Sequence, residues 1–172
     1  MSDLHDSAFA SPLSPDPCAR VRVGDCTTRY LRRGVGRPVV VLRATDCDGE
    51  LWPPLLDAIA AHHRLILPEA PCADAAFASW FRGFADGIGL PPATMIAADA
   101  YCVPALELAL LEPERLDRLV LVPRGRAEES GVAGSLSTAA RQQALPILVV
   151  RRGHPASDAL ATVERFIAED PS

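Results

Sequence analysis

The run Ala105-Leu106-Glu107-Leu108-Ala109-Leu110-Leu111-Glu112-Pro113-Glu114-Arg115-Leu116-Asp117-Arg118-Leu119-Val120-Leu121-Val122 decides the fold class. Its first part completes a segment, Val103–Leu111, that is apolar nearly all round, the pattern of a buried helix. Its last part, Leu119–Val122, is a continuous branched run, the pattern of a strand covered on both faces. A Pro-Glu-Arg turn joins them. A buried helix that feeds a buried strand is one step of a parallel α/β sheet.

The same alternation extends in both directions. Upstream, Ala19–Val23 and Thr27–Leu31 read as a hairpin with one wet face, turning at Gly24–Asp25. After a turn at Gly34–Arg37, Pro38–Leu42 (PVVVL) reads as a buried strand. Helices are expected at Pro53–His62 and Ala75–Gly87, the second with a stripe of Phe77, Trp80, Phe81, Phe84 and Ile88 that reads as core packing. Leu65–Leu67 and Thr94–Ala97 read as short strands. Downstream, Gly131–Gly134 reads as a loop, Ser135–Gln143 as a helix, Ile147–Val150 as a strand and Ser157–Glu169 as a closing helix. The order predicts a mostly parallel central sheet with helices on both faces. Residues 1–17, rich in Ser, Asp and Pro, read as a tail, and residues 18–172 as a single domain.

Composition narrows the function classes. The chain has 172 residues, 49% of them hydrophobic and 23% charged, enough for one core. Its net charge is −5, and its 17 basic residues are all arginine, scattered along the sequence. That balance argues against a nucleic-acid partner. Apolar runs fall short of a membrane span. Five cysteines without a C-x-x-C pair suggest neither a disulfide framework nor a zinc site. A cytoplasmic protein with reduced thiols, no metal and no cofactor is expected.

The helix–turn–strand run resembles the α/β-hydrolase family, whose helix after the nucleophile ends in a Pro-Glu-Arg turn. Tyr30-Leu31-Arg32-Arg33-Gly34 with Pro38–Leu42 resembles its opening hairpin and third strand, and Trp52-Pro53-Pro54-Leu55-Leu56 its first helix. Arg64–Glu69 resembles the strand before its Asp-x-Pro-Gly loop, and Leu145–Val150 its seventh strand. The resemblance implies an α/β-hydrolase-like domain that is lidless and truncated at its C-terminal end, with one strand after Val122 where the family has two.

Against that family the chemistry is changed. The nucleophile motif G-x-S-x-G aligns with Ala97-Ala98-Asp99-Ala100-Tyr101, so Asp99 stands for the serine; a one-residue deletion would put Ala100 there instead. The oxyanion turn reads Arg43-Ala44, and Glu69–Asp74 lacks the glycines of the family loop. Gly153-His154 alone resembles the histidine loop.

These positions supply the candidate site residues. Asp99 would sit at the switch point of the sheet, as nucleophile, base or ligand contact, or else simply cap the next helix. Its tolerance of left-handed backbone suits a modified elbow. Arg43 offers a bidentate fork to a carboxylate or phosphate, or stands exposed at a strand end. His154 is the candidate imidazole, or an ordinary loop residue. Cys102 lies where a helix start would stabilise a thiolate, or is a buried structural cysteine. Ala44, Ala100, Tyr101 and Cys102 complete the expected ligand-binding set with Arg43. The leading expectation is a degenerate protein without serine-hydrolase activity. It binds a small acyl or anionic molecule or a protein partner, or reuses the pocket for a non-hydrolytic reaction. The alternatives are a hydrolase or lyase using Asp99 or Cys102 with His154, and a structural partner that forms a homodimer.

Overall fold

Among the described residues, seven strands form one sheet in the order β1-β2-β4-β3-β5-β6-β7. In this computed structural model the described residues are 18–43, 51–71, 76–123, 145–150 and 156–169. The strands are β1 (Cys18–Val23), β2 (Cys26–Arg33), β3 (Pro38–Leu42), β4 (Arg64–Pro68), β5 (Ala93–Ala98), β6 (Leu116–Val122) and β7 (Ile147–Val149). The helices are α1 (Trp52–His62), α2 (Phe77–Gly87), α3 (Cys102–Leu111) and α4 (Ala156–Ala168), with single 3-10 turns at Asp99–Tyr101 and Pro113–Arg115. β1 and β2 pair antiparallel, and β2 joins β4 antiparallel; every other pairing is parallel. The expected tail, the Gly131–Gly134 loop and the Ser135–Gln143 helix lie outside the described residues.

Strand alternation splits the core into two layers, because successive side chains point to opposite faces. Val40, Leu42, Ile66, Met95, Ala97, Leu119 and Leu121 face α2 and α3, against Phe77, Phe81, Phe84, Leu106 and Leu108. Val39, Val41, Leu65, Ile96, Val120 and Val122 face α1 and α4, against Trp52, Leu55, Ile59, Val163 and Ile167. All five residues of β3 are buried, as its branched run predicts for a strand covered on both faces.

Two strands run three residues further than local pattern suggests. β2 extends from Cys26 to Arg33, because it pairs with β4 as well as β1 and is an inner strand of the sheet. β6 begins at Leu116, although Asp117 and Arg118 look like a polar break. Arg118 is buried, its guanidinium donating to the Glu169 carbonyl at 2.7 Å and lying 5.3 Å from the Phe166 ring centroid. The charge therefore meets the open carbonyl end of α4, where a cation is favoured.

Candidate functional site

β5 is buried along its whole length, with β3 on one side and β6 on the other, so its C-terminal end emerges mid-sheet. There the chain turns into α3 through the Asp99–Tyr101 turn. Asp99 carries the reversal at φ +52°, and it is the only non-glycine residue with positive φ among those described. Aspartate bears this region better than most residues because its short side chain bonds locally. Of the two residues that the alignments offered, Asp99 holds the left-handed position and Ala100 is exposed. The helix N-cap positions fall on Ala98 and Tyr101, neither with a side-chain cap bond, and not on Asp99.

Arg43 follows the neighbouring strand. Leu42 of β3 is in register with Ala97 of β5, so Arg43 and the Asp99 turn leave adjacent strand ends, which in any sheet stand about 4.8 Å apart. The Arg43 guanidinium carbon lies 5.9 Å from the centroid of the Trp52 ring, a cation–π arrangement on the first residue of α1. Trp52 is buried. Local pattern marks it only as a helix start, and no spacing signal ties it to Arg43; the crossover from β3 to α1 makes the contact.

Tyr101 takes the place of the second elbow glycine. It is buried, and its hydroxyl donates to the carbonyls of Ala70 at 3.3 Å and Pro71 at 3.0 Å. Its ring centroid is 6.0 Å from that of Phe77. The elbow is thus tied to the segment after β4. Cys102 is fully buried, and its Sγ–H donates to the Ala97 carbonyl at 3.3 Å. Ala44 and His154 lie outside the described residues; of the other candidates, Asp99, Ala100, Tyr101 and Cys102 follow β5 and Arg43 follows the neighbouring β3. Among the described residues, no three His, Cys, Asp or Glu side chains gather as a metal site. No described helix is long and apolar enough to cross a membrane.

No family model matches the chain, and no curated protein matches it by sequence. Solved structures match its fold. Carboxylesterase CesB from Bacillus subtilis is 18% identical with a TM-score of 0.56, covering 68% of this chain and 45% of that one. Epoxide hydrolase VrEH1 from Vigna radiata is 18% identical with a TM-score of 0.52, covering 62% of this chain and 38% of that one. The meta-cleavage product hydrolase of Pseudomonas fluorescens IP01 is 21% identical with a TM-score of 0.51, covering 62% and 45%. The chain spans less than half the length of each. Together with the mostly parallel sheet, these likenesses show that the chain has the α/β-hydrolase fold.

Proposed function

We propose that the strand-end site around Asp99 and Arg43 binds a small acyl or anionic molecule without serine-hydrolase chemistry. The protein then acts as a binding or accessory protein, or catalyses a non-hydrolytic reaction in that place. One observation carries this reading: the left-handed residue that follows β5 is an aspartate, and an arginine follows the neighbouring strand β3. A serine elbow presents a neutral hydroxyl for acylation. A carboxylate there changes the chemistry to charge recognition or proton handling. Arg43 adds a planar fork suited to a carboxylate or phosphate.

A second reading rests on the same residue. Asp99 would then be the nucleophile on an electrophilic carbon, displacing a halide or opening an epoxide, and His154 the base for the water that hydrolyses the resulting ester, as in the dehalogenase branch of this fold. An epoxide hydrolase stands among the matching structures. The thiol alternative is disfavoured, because Cys102 is buried and held by the Ala97 carbonyl.

Fluorophosphonate labelling and p-nitrophenyl ester turnover test the leading reading first. Neither should exceed background, and stoichiometric serine labelling between residues 94 and 104 would overturn it. A thermal-shift screen of acyl and anionic compounds then compares wild type with Arg43→Ala and Asp99→Asn; asparagine keeps the left-handed preference while removing the charge. A specific ligand raises Tm in wild type and less so in at least one variant. Stabilisation that survives both changes would move the site elsewhere. Turnover of epoxides or haloalkanes that stops in Asp99→Asn would establish the second reading.

A further inference from the structure

We infer that the outer edge of β1 is a docking site for an extended segment of a partner protein that carries carboxylates at alternate positions. β1 ends the sheet and, among the described residues, pairs with β2 alone. An end strand offers a row of backbone N–H and C=O groups to another strand. The two faces of this strand differ sharply. Val21 and Val23 pack onto α2, close enough that a Cβ on Gly87 or Gly83 would meet them at 2.6 and 2.8 Å. The opposite face is basic and open: Arg20 and Arg22 are exposed there.

The cross-strand register concentrates that charge. Arg20 stands directly opposite Arg29 of β2, so two guanidiniums share one face. Directly opposed like charges destabilise a sheet unless an anion answers them. Arg29 lies 3.5 Å from Glu69, and Arg33, farther along β2, is 3.0 Å from Asp57. Among the described residues, acids thus answer the inner arginines, while Arg20 and Arg22 stand exposed at the rim, Arg22 donating to the Gly24 carbonyl at 3.2 Å. Arginines scattered along the sequence become a patch in a protein whose net charge is −5.

Charge and geometry select the occupant. A strand added beside β1 places every second side chain on the arginine face, so acidic residues at alternate positions match Arg20 and Arg22. A second copy does not fit. Two β1 edges paired antiparallel about a two-fold axis bring the arginine faces of both copies side by side, a repulsive arrangement of the kind that guards natural sheet edges. Duplex nucleic acid does not fit either. Arg20 and Arg22 are two residues apart on one strand, about 7 Å, too short a basic track for a rod of phosphates.

The probe is a dodecapeptide alternating glutamate with threonine, followed by fluorescence anisotropy on the full chain. The control is a peptide of the same composition with its glutamates in one block. The alternating peptide should bind roughly fivefold or more tightly than the block, and the double substitution Arg20→Glu/Arg22→Glu should weaken it by about tenfold or more. Arg165→Glu, on the exposed side of α4, should leave it unchanged. Amide exchange of residues 18–23 in wild type should slow when the alternating peptide is added; this readout needs no variant to fold. Equal binding of the two peptides, or unchanged exchange, would overturn strand addition. Tighter binding of a DNA duplex, or a β1-dependent dimer at micromolar concentration, would replace the occupant. So would peptide binding that appears only after residues 1–17 are removed, since Asp3, Asp6 and Asp16 would then make the chain its own occupant.

Discussion

Two glycines show how a single residue's demands depend on what surrounds it. Gly24 and Gly34 both have positive φ, at +60° and +74°. Nothing lies within 4 Å of the position that a methyl group on Gly24 would take, so Gly24→Ala should cost only the backbone strain, about 1 kcal/mol. At Gly34 a Cβ would fall 2.2 Å from the His63 carbonyl oxygen and 2.3 Å from that of Ala60. Both are backbone atoms at the end of α1 and cannot swing away. Gly34→Ala should therefore cost about 2–4 kcal/mol. Urea denaturation of the two variants checks the contrast; equal losses would mean that α1 is not seated against the β2–β3 turn. Asp99 meets the same backbone demand without a glycine's freedom. Such a residue is kept where its side chain is wanted at that point, which is the physical ground for reading it as functional.

At the level of elements, the Pro-Glu-Arg turn is held by charge. Glu112, buried at the end of α3, accepts from the guanidinium of Arg82 on α2, whose Nε lies 2.8 Å away, and from Arg115 in the turn. Arg115 also donates to Asp86 at 2.8 Å. The hydrogen bond from Arg82 holds the Glu112 carboxyl below its ordinary value of 4.5, against the upward push of burial. A carboxyl with a lowered folded pKa stabilises above its unfolded pKa and loses that contribution as pH falls through the folded one. Wild type should therefore lose stability on acidification below the ordinary carboxylate range more steeply than Glu112→Gln. At neutral pH the variant should be slightly less stable, the loss kept small because solvent reaches both arginines. Tm measured against pH for both proteins checks it; parallel curves would show that the network adds nothing. The helix α2 docks by a different means, with Trp80 donating to Thr28 at 3.0 Å and Gly83 and Gly87 giving the valines of β1 room.

Over the whole molecule, stability should fall off from the centre of the sheet. β3 and β5 are buried on both faces and paired on both edges, whereas β7 is only half-buried and β1 has a wet face. Amides in β3 and β5 should exchange last and those in β1 and β7 first, since local opening follows buried contacts. Native-state hydrogen exchange checks this. Protection of β1 equal to that of β5, in the full chain alone, would show that its edge is already covered. The candidate site lies beside the buried middle of the sheet and the proposed docking edge at its margin.

The sequence alone determined the element types and their order, because a period of two or of 3.6 residues is written among neighbours. The run PVVVL at 38–42, the apolar helix of 103–111 and the branched run of 119–122 were legible for that reason. So was an aspartate, Asp99, in the stretch that aligns with the family's serine motif. Other features needed the folded chain. The placing of β4 outside β3 depends on a crossover, not on either strand's residues. That Asp99 and not Ala100 carries the left-handed turn is a backbone angle, which a row of small residues does not specify. Arg118 lies outside the strand that local pattern marks at 119–122, and it joins β6 with the end of α4 as its partner. Arg43 found Trp52, and Arg20 came to stand beside Arg29, through chain reversals. Apolar burial follows local pattern; a charge is decided by partners that arrive from elsewhere in the chain, and only the tertiary structure brings those together.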